Sequence, residues 1–286
     1  MFGKLCKYEF KSIVRTLVPI YLAVIAVSIL NAFMGIGSLF SDYLDDLGFV
    51  SSLLGLIRGI SIFVYFGVMV ALSVLTLIVI IQRFYKGLLC DEGYLMFTLP
   101  VKPWQLIAAK GTAAFVMSLA SSLAAMISIV ILILGSVGPA EFFKAITSPH
   151  VWDSIGRALS EVPSWPLLLL ELILMVIISG MMQLYHMYFS MALGHLSSSH
   201  RIMMSVVAYI AISMAVSFIS GFLMIIAAIT PAAKSLFNLI DTMPTAESMT
   251  YVFHMSFIFS IIFGAIQLGV FFFGTERILS KRLNLE

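Results

Sequence analysis

The chain has 286 residues, of which 61% are hydrophobic and only 10% charged, and its mean hydropathy is +1.10. Soluble domains carry about 25% charged residues, so this composition excludes a single water-soluble core and describes an integral membrane protein. The formal net charge of +2 comes from 16 Lys and Arg against 14 Asp and Glu; the cations are distributed by topology rather than gathered into a patch, so this charge is no sign of nucleic acid, and no nucleic-acid partner is expected.

From the N-terminus, residues 1–16 form a basic amphipathic leader. Lys4, Lys7, Lys11 and Arg15 recur at spacings of 3, 4 and 4 and stack on one helical face, opposite Phe2, Leu5, Phe10, Ile13 and Leu17. This predicts an interfacial helix on the inner leaflet, acting either as a simple anchor or as a lever touching a cytoplasmic subunit. A bilayer span needs about 20 apolar residues, and six stretches qualify: Leu17–Phe40, Ile60–Ile81, Thr112–Leu134, Leu167–His195, Ile202–Thr230 and Tyr251–Thr275. The first is too long for the apolar core of a secretory signal and lacks a small-residue cleavage site, so it reads as a retained span. No ten-residue alternating segments of a membrane barrel are visible. The fold class is therefore all-α: one polytopic domain over residues 1–286 with six transmembrane helices.

Between these spans, residues 82–111 read as a cytoplasmic loop, while residues 135–166 and 231–250 read as extracellular connections. The first of these connections predicts one or two short amphipathic helices broken at Pro149 and Pro163, with Trp152 and Trp165 at headgroup level. The second reads as either a surface loop or a re-entrant element. Lys4, Lys7, Lys11, Arg15, Arg83, Lys86, Lys102, Lys110, Arg201, Arg277, Lys281 and Arg282 fall on one side, against Arg58, Lys144, Arg157 and Lys234 on the other. The positive side is the cytoplasmic one, so both termini are expected inside. Cys6 and Cys90 fall on that reducing side, and no Cys/His cluster at ligand spacing points to a metal.

Ionisable groups inside a membrane are costly and so mark function. The clear candidates are Glu171, His186 and His254, with Glu171 and His254 shallow and His186 deeper. His186 shares a face with Ser179, Gln183 and Ser190, and on the fifth span Tyr209, Ser213, Ser217 and Ser220 form a second polar stripe. These stripes admit two readings, a substrate path through Ser179, Gln183, His186, Ser190, Tyr209 and Ser213, or hydrogen-bonding glue between helices. The small-residue faces Ser118, Ser121, Ala125, Ser128 and Ser256, Ser260, Gly264, Gln267 predict close helix contact. The 18 methionines supply soft apolar surface, as filler or as a permissive path. No catalytic residue is identified. There is no Gly-rich phosphate loop ending in Gly-Lys-Ser or Gly-Lys-Thr, no His-Glu-x-x-His, no Gly-x-Ser-x-Gly elbow, and no chain of Asp, Glu and His suited to proton coupling.

The most informative segment is the polar island Asp91–Lys110, DEGYLMFTLPVKPWQLIAAK. Its run Asp91, Glu92, Gly93, Tyr94, Leu95, Met96, Phe97, Thr98, Leu99, Pro100, followed by Val101, Lys102, Gln105, Leu106 and Lys110, resembles the first cytoplasmic loop of type-two ABC exporter permeases of Gram-positive bacteria. The likeness extends more loosely to the basic leader, the six spans and the tail Arg282, Leu283, Asn284, Leu285. Trp104 departs from it, standing where such loops are often polar.

The resemblance implies a short coupling helix seated in a groove of a separate ATP-binding-cassette ATPase, through Glu92, Gly93, Tyr94, Phe97, Thr98, Leu99 and Pro100. ATP and Mg would be held by that partner and not by this chain, which would itself be no enzyme. A second permease chain, identical or related, would complete the transporter in the bacterial cytoplasmic membrane. An amphipathic peptide, antibiotic or lipid-like cargo would be moved outward. The residues themselves add that Pro103 suits the first turn of a helix running into the third span. The reading from a different class is a non-transporting membrane assembly or signalling protein that docks a soluble partner through the same loop.

Overall fold

The computed structural model describes residues 2–39, 48–90, 93, 101–197, 200–230, 235, 242 and 245–281. Among these there is no strand. The helices are α1 (Phe2–Leu39), α2 (Gly48–Phe84) continued by a π-helical turn (Tyr85–Leu89), α3 (Pro103–Val137), α4 (Pro139–Thr147), α5 (Pro149–Glu161), α6 (Trp165–Gly194), α7 (Arg201–Ile229) and α8 (Thr245–Lys281).

Six of them contain stretches long and apolar enough to cross a membrane: Phe2–Phe33, Gly55–Leu89, Pro103–Val137, Trp165–Gly194, Arg201–Ile226 and Glu247–Lys281. These coincide with the six apolar runs of the sequence. α1, α2, α3 and α8 extend well beyond the runs that nucleate them, because backbone hydrogen bonding continues into flanking polar residues until a breaker or a cap stops it, whereas α6 and α7 match theirs to within two residues. α3 starts at Pro103 and α4 and α5 start at Pro139 and Pro149, where a fixed φ and a missing N–H cost a helix nothing. Neither α4 nor α5 buries a residue, and Phe143, Val151, Trp152, Ile155 and Leu159 are exposed.

The leader and the first span are a single helix. α1 runs unbroken through Pro19, which spanning helices tolerate, and one buried stripe of Glu9, Ile13, Leu17, Val24 and Ser28 continues across the proline. Lys4, Lys7, Lys11 and Arg15 lie on its exposed face. The loop assigned to residues 82–111 is shorter than its sequence limits, since α2 with its π-helical turn reaches Leu89 and α3 begins at Pro103. Lys110 therefore sits on a helix and is buried, at 3% exposure. The connection drawn to residue 250 is also shorter, because α8 already starts at Thr245.

Two compact units divide the chain, Met1–Arg83 with Ala113–Asp153, and Phe84–Thr112 with Ser154–Glu286. In the first, Ile13 and Leu17 pack with Ala113 and Met117, flanked by Tyr21 and Val79. Polar side chains then tie the three helices. The Tyr21 hydroxyl lies 2.7 Å from Ser121 Oγ and Thr76 Oγ1 lies 3.0 Å from the same atom. Tyr65 meets Ser128 at 2.8 Å, and Ser61 donates to Asn31 at 2.7 Å. At the leader end, Arg83 Nε donates to Glu9 at 3.0 Å, and the Glu9 side chain is 4% exposed. Without water to compete, such contacts replace the hydrophobic drive that joins helices in solution. The serine face of α3 is thus helix contact, in line with its small residues.

Candidate functional site

The second unit is built by packing α6 against α7 and α8. Its core is aromatic. Phe84 stacks on Tyr188 at a centroid distance of 3.9 Å, and Tyr185 meets Tyr188 and Phe272 edge-on. A side chain on Gly111 would collide with the Tyr185 hydroxyl, so the absence of one lets α3 pass that ring. The Lys110 ammonium packs over Gly87 in the π-helical turn.

His186 lies between two rings, 4.5 Å from Tyr209 and 4.8 Å from Phe271. Its Nε2 is buried with no hydrogen-bond partner among the described residues, while Ser190 Oγ donates to the His186 carbonyl at 2.8 Å. Gln183 donates to the Tyr209 hydroxyl at 2.6 Å, joining α6 to α7. His186 and Ser190 are buried, Ser179 is half-buried and Gln183 is exposed. The α6 stripe is therefore divided between packing and surface. On α7, Tyr209, Ser213 and Ser217 line an open cleft of about 430 Å³ with Ile210, Met214 and Phe218, all six from that one helix. Of the six residues proposed for a path, Tyr209 joins the two stripes: it stacks on His186, accepts from Gln183 and lines the cleft.

A pairing across two spans was not visible in the sequence. Glu171 of α6 and His254 of α8 meet at 2.7 Å, with side chains only 10% and 16% exposed. Their shared shallow depth was the available signal; what placed them together is the close approach of α6 and α8, where even a methyl on Gly264 would crowd Ile178 at 3.2 Å. His186, on another level of α6, is not part of this pair.

At the opposite end of α6 the chain turns through His195, which is 8% exposed and has both ring nitrogens buried without a partner among the described residues. Burial first, and then the nearby Arg201 charge, push its pKa below the ordinary value and keep the imidazole neutral. Tyr85 meets this ring edge-on at 6.1 Å.

Of the proposed coupling residues, Glu92, Tyr94, Phe97, Thr98, Leu99 and Pro100 lie outside the described residues, and only Gly93 is placed. It is buried, its N–H donates to the Cys90 carbonyl at 2.7 Å, and an added Cβ would lie 2.6 Å from the Leu88 carbonyl oxygen. Glycine is required there by close backbone approach. On either side the segment is anchored by Leu88 and Leu89 and by Leu106 and Ile107, each at most 2% exposed.

Fold and packing define the class: an all-α, multi-pass membrane protein. No protein-family model, curated protein or solved structure matches the chain. Among the described residues no group of three or more His, Cys, Asp or Glu could hold a metal ion.

Proposed function

We propose that the chain is the permease subunit of an ATP-driven exporter of a bacterial cytoplasmic membrane. It works with a second permease chain and a separate ATPase, and it moves an amphipathic peptide, antibiotic or lipid-like molecule outward. The observation that carries this reading is the segment Asp91–Lys110, whose residues resemble the loop by which such permeases engage their ATPase. A chain with no phosphate-binding loop of its own needs an external source of work, and this segment is where it is coupled. ATP and Mg are held by the partner.

The local structure is compatible with force transfer. The segment enters through buried Leu88 and Leu89 and leaves through buried Leu106 and Ile107 at the start of α3. Movement of the loop would be passed to the helical ends rather than dissipated in a flexible lead. The small supply of buried charge disfavours an ion carried through a dedicated polar site. Purification of the tagged chain from its native membrane tests the proposal. A protein bearing a Gly-rich phosphate loop should copurify with the wild type and be lost when residues 93–100 are replaced by a neutral linker. Its retention by that variant would overturn the role of the loop.

A further inference from the structure

We propose that Lys110 is a positioning residue: its ammonium clasps the π-helical turn and so fixes the two points between which the segment from Cys90 to Lys102 is held. Lys110 lies on α3 and is 3% exposed. A buried ammonium is costly unless dipoles or opposite charge meet it, and its surroundings supply dipoles. The helix formed by α2 and Tyr85–Leu89 ends at Cys90, whose backbone is extended. The last carbonyls of a helix have no partner further along it and carry its negative end. Lysine is a side chain that answers both. The Cys90 carbonyl accepts from the Gly93 N–H at 2.7 Å. Lys110 reaches the turn at Gly87, where an added methyl would lie 2.6 Å from Nζ and 3.3 Å from Cε. Lys110 is thus engaged within the chain rather than free.

The neighbouring residues distinguish a clasp from ordinary packing. Glycine is a poor helix former, yet at position 87 it is buried and leaves the space that the ammonium fills. Lys86, the other cation of this turn, is exposed. π-helical turns are rare and concentrate at functional sites. The residue after Lys110 is fitted as well, since Gly111 leaves room for the Tyr185 hydroxyl of α6. The start of α3 is therefore held by the π-helical turn and by α6 at consecutive residues. A displacement of residues 91–102 then moves the turn and the start of α3 together. That the segment so positioned engages an ATPase rests on the transport reading; the clasp itself does not.

Hydrogen–deuterium exchange of the full-length chain in lipid nanodiscs, read by mass spectrometry, tests the clasp. Copurification of a phosphate-loop protein from native membranes tests its consequence. K110M keeps the stem and removes the charge. It should speed exchange over residues 85–93 about tenfold, as expected for losing a cation at a buried helix end, and leave α6 from Leu172 to Met182 at the wild-type rate. G87A, which keeps Lys110 and fills its space, should do the same and serves if K110M does not fold. K110R, which keeps the charge, should fall between K110M and the wild type. K102M removes an exposed cation of the same segment and should leave exchange over residues 85–93 unchanged. Copurification should fall in K110M. Wild-type exchange over residues 85–93 in K110M and G87A, equal acceleration in α6, or undiminished copurification by K110M would each overturn the assignment. If the wild type itself brings down no such protein, the transport reading fails while the exchange rates still decide the clasp.

Discussion

The Glu171–His254 contact allows the most quantitative test of the packing. A neutral hydrogen bond between spanning helices contributes about 0.6 kcal/mol on average and at most about 1.7, whereas truncating one member of a buried ion pair costs about 3–5 kcal/mol in soluble proteins. The 2.7 Å separation and the 10% and 16% exposure of the side chains place this contact between those limits. It is mostly desolvated, yet not sealed. A coupling energy of about 1.5 kcal/mol follows, near the top of the membrane range. His254→Leu alone should cost more, about 3 kcal/mol, because it strands the carboxylate. Glu171→Leu combined with His254→Leu should recover part of that loss, since no polar group is then left unpaired. Equilibrium unfolding in mixed micelles, run on the wild type, both single variants and the double variant, measures all four corners of the cycle. A coupling below about 0.5 kcal/mol, or a double variant no more stable than the worse single one, would refute the buried pair.

Gly135→Ala should destabilise the first unit by about 1–3 kcal/mol in the same assay, since the added methyl would overlap the Ala32 backbone and force α1 and α3 apart. Wild-type stability would rule out that close approach. Ser121→Ala should cost only about 1 kcal/mol, because Tyr21 keeps the Met117 carbonyl at 3.3 Å and Thr76 keeps the Leu72 carbonyl at 2.7 Å. His195→Phe should be neutral or stabilising by about 1 kcal/mol, as it preserves the ring against Tyr85 and removes two unsatisfied nitrogens. The pH dependence of this variant has a definite sign. The folded pKa of His195 is lowered, so as pH falls through the ordinary imidazole value the unfolded chain takes up the proton first and stability is lost on the acid side. Above that value His195 is neutral in both states. A denaturation series from neutral to acid pH should therefore show a shallower decline for His195→Phe than for the wild type.

The spans were legible because bilayer thickness imposes a length on apolar runs that no soluble fold requires. The helix start at Pro103 and the break at Pro149 were legible for a local reason, the tolerance of a first helical turn for proline. The junctions were not. Pro19 is an equally strong local breaker, yet α1 continues through it because the stripe Glu9, Ile13, Leu17, Val24 and Ser28 is packed on both sides of it. Nothing in Tyr85–Leu89 distinguishes a π-helical turn from α-helix; it is set by the packing of buried Leu88 and Leu89. Tyr209 was visible as part of a polar stripe, but its place between His186 and the cleft is decided by the packing of α6 on α7. The same holds for Glu171 and His254, whose depths can be read along the chain while their partnership depends on which spans touch.

The most direct test of the transport account is a photocrosslink from within the loop. With p-benzoylphenylalanine at Tyr94 or Phe97, irradiation of native membranes should yield a crosslinked product that contains, by mass spectrometry, a protein with a Gly-rich phosphate-binding loop. The same probe at Trp152 should not. A product from positions 94 and 97 containing only lipid, or a protein without nucleotide-binding sequence, would contradict the account.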